Sequence, residues 1–154
     1  MGDGSGNFAP VWPDQTGISV SGDATSLTTT DFNNDGAPDL FIGVNAAEQI
    51  TFDHAGGTAD NTLCLRLPSN TPPGTQVTLT MKDGSTLPDQ TAEIHAGGGY
   101  LSQSARLVFF GTGRNGTKAV KEISIQFPNR KTLSKTLSQL DKSGRTFRIH
   151  GAVP

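Results

Sequence analysis

Nine residues, Asp31-Phe32-Asn33-Asn34-Asp35-Gly36-Ala37-Pro38-Asp39, restrict what this chain can fold into more than any other stretch. Oxygen-bearing side chains recur at loop positions 1, 3, 5 and 9, with glycine at position 6. Calcium takes six to eight oxygen ligands at roughly 2.3–2.6 Å, and a short loop supplies them only by curling around the ion. Alternate residues then point inward, and a main-chain carbonyl is available at position 7. The expected ligands are Asp31, Asn33, Asp35, the Ala37 carbonyl and Asp39. Three carboxylates around one point repel each other unless a cation sits between them. The competing reading is a polar β-turn, because Asp and Asn favour turns in any case.

The loop is not an EF-hand. That motif needs a bidentate Glu at position 12, where this chain has Ile42. It also needs flanking helices, whereas Ser26-Leu27-Thr28-Thr29-Thr30 and Leu40-Phe41-Ile42-Gly43-Val44 are rich in strand formers. Further short strands are expected at 8–11, 17–20 and 49–53, separated by Gly, Asp and Asn turns.

D-x-N-x-D-G-x-x-D-L between two strands resembles the calcium loop of the FG-GAP or VCBS repeat, the blade unit of integrin-α-like β-propellers. Gly22-Asp23-Ala24 precedes the first strand, and Gly2-Asp3-Gly4-Ser5-Gly6-Asn7-Phe8 looks like the hairpin closing a preceding repeat. The resemblance implies about one blade within residues 1–58. A closed propeller needs about four to eight blades, so the rest of the propeller is expected to be missing from this chain.

Net charge is −2, but residues 1–60 carry nine acids and no Lys or Arg, whereas residues 106–148 carry ten of the twelve bases. Calcium binding accounts for part of the acidic excess. The basic half reads as solvated strand faces, because no nucleic-acid motif or aromatic interleaving accompanies it; no nucleic-acid partner is expected. No apolar run approaches the ~20 residues of a membrane span. Met1-Gly2-Asp3-Gly4 has neither the basic nor the apolar region of a signal peptide.

Residues 59–154 read as a second, all-β domain. Leu63, Leu65 and Leu67 alternate with polar neighbours, as do Val77, Leu79 and Met81, then Leu101 to Leu107, then Ile123, Ile125 and Phe127, and finally Phe147 and Ile149. Lys82-Asp83-Gly84-Ser85 and Gly97-Gly98-Gly99 are turns, and a strand is expected over 90–95. Leu133, Leu137 and Leu140 are spaced for a short helix. The expected fold is all-β: partial propeller blades followed by a compact antiparallel sandwich or barrel of about seven strands.

Gly98-Gly99-Tyr100-Leu101-Ser102-Gln103, Phe110-Gly111-Thr112-Gly113 and Phe127-Pro128-Asn129-Arg130 resemble the ASPIC/UnbV domain, which typically shows G-Y-x-S-Q, F-G-L-G and W-P-S-G in this order. Thr112 stands for the usual Leu, Phe127 for Trp, and Asn129-Arg130 for Ser-Gly. This domain characteristically follows FG-GAP/VCBS repeats, as in the cartilage acidic protein family and bacterial secreted relatives. The two resemblances together imply the C-terminal part of a larger secreted protein, extracellular or periplasmic.

Nothing catalytic rises above background. His54, His95 and His150 are scattered, with no zinc-type spacing, and no G-x-S-x-G elbow is present. Asp89 and Glu93 form a carboxylate pair of a kind that any β protein offers. Cys64, the single cysteine, lies between Leu63 and Leu65 and reads as a structural thiol. The expected function is a non-catalytic, calcium-binding module for adhesion to an extracellular protein or glycan. One rival is an accessory or enzymatic role in a biosynthetic pathway, since UnbV-type proteins are associated with enediyne gene clusters. Another is a carbohydrate-binding sandwich with an aromatic platform on Trp12 or Tyr100.

Overall fold

The computed structural model describes residues 6–54, 61–100 and 102–150. The domain boundary expected at 58/59, most of the expected 2–8 hairpin and Leu101 lie outside the described residues. Among the described residues the chain is nearly all β, in three sheets with no closed barrel. Among the described residues no helix is long and apolar enough to cross a membrane.

The first sheet is an antiparallel meander of β1 (Ala24–Thr30), β2 (Asp39–Val44) and β3 (Ile50–Phe52). The Thr-rich and apolar flanks of the loop thus become paired strands, Thr30 facing Asp39 where the loop closes. Ahead of it the expected strand over 17–20 does not form. Pro13 starts a single helical turn, α1 (Pro13–Thr16), ended by Gly17 at φ 71°, and the following residues find no ladder partner. Over 8–11 only Phe8 makes a bridge.

The rest is a sandwich of two four-stranded sheets. One runs β10 (Asp141–Ser143), β11 (Thr146–Arg148), β4 (Thr62–Arg66), β7 (Leu107–Gly111). The other runs β6 (Gln90–Glu93), β5 (Gln76–Met81), β8 (Val120–Gln126), β9 (Thr132–Lys135). Pairing is antiparallel except between β4 and β11, which run parallel. The inward residues are those with period two: Leu63, Leu65, Val108, Phe110 and Phe147 from one sheet, Val77, Leu79, Met81, Ile123 and Ile125 from the other.

Two expectations are corrected here. The helix-like spacing of Leu133, Leu137 and Leu140 arises from different elements. Leu133 pairs with Ile125 in the β8–β9 ladder, and Leu137 opens a 3-10 turn, Leu137–Gln139. All three still pack against the core, while Thr132, Ser134 and Thr136 favour extended backbone over a helix. The alternation from Leu101 to Leu107 gives a strand only from Leu107, because residues 102–106 spend their polar groups on turns and on β1.

Candidate functional site

The loop 31–39 leaves β1, turns, and re-enters at β2, so that Asp31 and Asp39 stand at the two strand mouths. Both are buried, at 4% and 0% exposure. Asp39 is fully engaged with backbone: its Oδ2 accepts from Phe32 N at 2.7 Å and its Oδ1 from His54 N at 2.9 Å. It ties the loop to the end of β3. Asn33 and Asp35 form local turns. Asn33 Oδ1 accepts from Asp35 N at 2.9 Å, Asp35 Oδ1 from Ala37 N at 2.8 Å, and Asp35 Oδ2 from Asn33 Nδ2 at 3.1 Å. Ala37 is buried.

Asp31 differs from the others. Its Oδ2 accepts from Gly36 N at 3.3 Å and from Thr146 Oγ1. Its Oδ1 is buried and accepts nothing. A carboxylate oxygen removed from water without a donor is costly, and a hard cation is one chemistry that offsets it. The donor set also suits calcium, being oxygen throughout. Among the described residues, however, no three His, Cys, Asp or Glu form a group able to hold a metal ion. The five expected ligands share one loop, whose ends are drawn together by the Phe32–Asp39 and Gly36–Asp31 hydrogen bonds.

What sequence reasoning missed is where the loop sits. It rests on the hairpin joining β10 to β11. Arg145 N donates to Asn34 O at 3.1 Å, and Thr146 on β11 reaches Asp31. Gly36, at φ 85°, has the Arg145 carbonyl 3.1 Å from where a Cβ would stand, so only glycine suits both the turn and the approach. No local signal marks Thr146 as a partner of the loop.

A second seat lies at the loop around 97–104. Gln103 braces it, its Oε1 accepting from Gly97 N at 2.6 Å and its Nε2 donating to His95 O at 3.2 Å. The backbone so held receives β1: Thr28 Oγ1 donates to Gln103 O at 3.1 Å, and Thr29 N to Ser104 Oγ at 3.3 Å. Gly99 packs with Leu27 O 3.5 Å from its missing Cβ position. The Gly-Tyr-x-Ser-Gln stretch therefore carries a structural task, which is to hold the first sheet against the sandwich.

Residues 68–147, more than half of the chain, match the family model described as ASPIC and UnbV. The chain belongs to the ASPIC/UnbV family. The match runs from the loop after β4 to β11 and so takes in both seats of the first sheet. No curated protein and no solved structure matches the chain.

Elsewhere several titratable residues have structural partners or stand exposed. Asp89 Oδ1 accepts from Met81 N at 2.9 Å, which closes the β5–β6 connection. Glu93 and His95 lie 3.6 Å apart with exposed side chains, beside a cavity of about 130 Å³. His150 Nε2 lies 3.1 Å from Asp141 Oδ2. Cys64 is 0% exposed, and burial pushes its thiol up to about 12, against the lowering effect of its hydrogen bond with Thr146. Trp12 and Tyr100 are exposed.

Proposed function

We propose that this chain is a non-catalytic binding module, stabilised by one calcium ion in the 31–39 loop, from the C-terminal part of a larger secreted protein. The observation that carries the calcium reading is the buried Asp31 carboxylate, with Oδ1 unpartnered at the mouth of a loop of oxygen donors. Asp31, Asn33, Asp35, the Ala37 carbonyl and Asp39 would hold the ion. Their hydrogen bonds do not exhaust them, because an ionised carboxylate offers about four lone-pair sites. Extracellular calcium modules bind at roughly 10⁻⁴–10⁻³ M, so outside cells the ion would be a constant part of the fold.

The wider reading draws support from the first sheet. Among the described residues it has three strands where a propeller blade has four, and Leu27 and Phe32 stand exposed on it and its loop. Neighbouring blades of an FG-GAP/VCBS-type propeller would cover such groups. The sandwich would then close the propeller on one side and present its other surfaces to an extracellular protein or glycan.

Calorimetric titration of calcium into metal-stripped protein, paired with thermal melts in calcium and in chelator, tests the ion. One ion per chain and a higher melting temperature are expected, both lost in Asp35→Ala. If the stripped protein is folded and takes up no calcium, the loop is a polar turn and the reading fails.

A further inference from the structure

We propose that Arg66, Arg106 and Arg148 form an oxyanion site, suited to the sulfate or phosphoryl group of a ligand. β4 and β11 run parallel with Cys64 opposite Thr146 and Arg66 opposite Arg148. The two arginines therefore share a face, on neighbouring strands about 4.8 Å apart. Like charges so placed repel each other. Arg106 enters from the other flank of β4, where its carbonyl accepts from Leu67 N at 3.0 Å and its Nε donates to Ser69 O at 2.9 Å.

Two shallow cavities, of about 370 and 340 Å³, meet along Arg66, Leu67 and Ser69. Arg106 lines the first; Arg148 and His150 line the second. Each arginine keeps a buried donor with no acceptor: Nε of Arg66, Nε of Arg148 and Nη1 of Arg106. The carboxylate facing Arg148 across the β10–β11 ladder is Asp141, but its side chain is 81% exposed and lies against His150.

Two arginines in register on neighbouring strands, and three buried guanidinium N–H groups without an acceptor, are unfavourable as they stand. A tetrahedral oxyanion removes both problems, since its oxygens accept from the planar guanidinium fork and its charge offsets the repulsion. The surplus of bases in residues 106–148 adds long-range attraction for such a ligand. The site shares no residue with the calcium loop and does not depend on it.

The test is calorimetric titration of the whole chain with sodium sulfate, sodium phosphate and a sulfated oligosaccharide. Chelator is present throughout and chloride keeps ionic strength constant, so calcium binding plays no part. Saturable binding at one site per chain is expected. Arg66→Gln and Arg148→Gln should each weaken it about tenfold or more, and Lys121→Gln, exposed on β8, should not. Arg66→Lys and Arg148→Lys, which keep the charge, should also weaken it because an ammonium cannot fork. Preference for the sulfated oligosaccharide would make the ligand a glycan sulfate, and preference for phosphate a phosphorylated one; either upholds the site. No saturable binding of any of the three overturns the proposal, and so does equal weakening by Lys121→Gln.

Discussion

Thr146 Oγ1 donates to Asp31 Oδ2, joining two buried residues 115 positions apart. Asp31 directly follows the first strand of the small sheet, and Thr146 begins β11 of the sandwich. Cys64 lies in register with Thr146 on the neighbouring β4. The loop is thereby packed over the outer face of the sandwich sheet. Whatever orders the loop therefore also supports that sheet.

Thr146→Val removes the donor while keeping the shape. Asp31 Oδ2 would keep only the Gly36 amide, and a buried carboxylate would lose part of its compensation. A loss of about 1–3 kcal/mol is expected, read as a lower urea midpoint. An unchanged midpoint would mean that the contact contributes nothing to the fold.

Thr112 is a second buried threonine, but its Oγ1 has no partner. Its backbone is well placed, with N donating to Asn61 O at 2.6 Å. The hydroxyl occupies a position where the family's F-G-L-G pattern carries Leu. Thr112→Val keeps the volume and removes the orphan group, so it should stabilise by about 1 kcal/mol. A lower thermal midpoint for this variant would show that the hydroxyl is satisfied in solution.

Much of the fold was legible because strand signals are local. Leu63, Leu65, Val77, Leu79, Ile123 and Ile125 alternate, and each faces the core. The Asp- and Asn-rich loop between two strands was equally plain, and β1 and β2 pair as expected. Two kinds of feature were hidden. Residues 131–140 present leucines at helical spacing, and only the free edge of β8 makes a strand of Thr132–Lys135. The seats of the first sheet, Thr146 for Asp31 and Gln103 for Thr28, depend on contacts between residues far apart in sequence. The arginine cluster was hidden for the same reason: Arg66 and Arg148 meet only through the parallel pairing of β4 and β11.

Cys64 should be inert in the native protein. It is buried beneath the loop, and burial raises its thiol from 9.0 to about 12, with the Asp31 charge acting in the same direction. A raised folded-state value stabilises fully below 9.0, and that contribution is lost as pH rises toward 12. An aromatic disulfide reagent at pH 8 should therefore label Cys64 only at the rate of unfolding. Between pH 9 and 12 the wild type should lose more stability than Cys64→Ala. Rapid labelling of folded protein would place the thiol at the surface and remove both expectations.

Arg130 holds φ at 66°, in the left-handed region, within the turn after β8. The turn is otherwise well made: Arg130 N donates to Phe127 O at 2.8 Å, and Lys131 N to Asn129 Oδ1 at 3.0 Å. A residue with a Cβ pays roughly 1–2 kcal/mol in that conformation, and the family's W-P-S-G pattern places glycine there. Arg130→Gly relieves the strain but also frees the unfolded chain, which offsets about 0.4–1 kcal/mol of the gain. The net expectation is stabilisation by roughly 0.5–1 kcal/mol. Arg130→Ala is the control, since it removes the side chain and leaves the strain. If both variants shift the urea midpoint equally, the effect comes from the guanidinium and its surroundings rather than from the backbone.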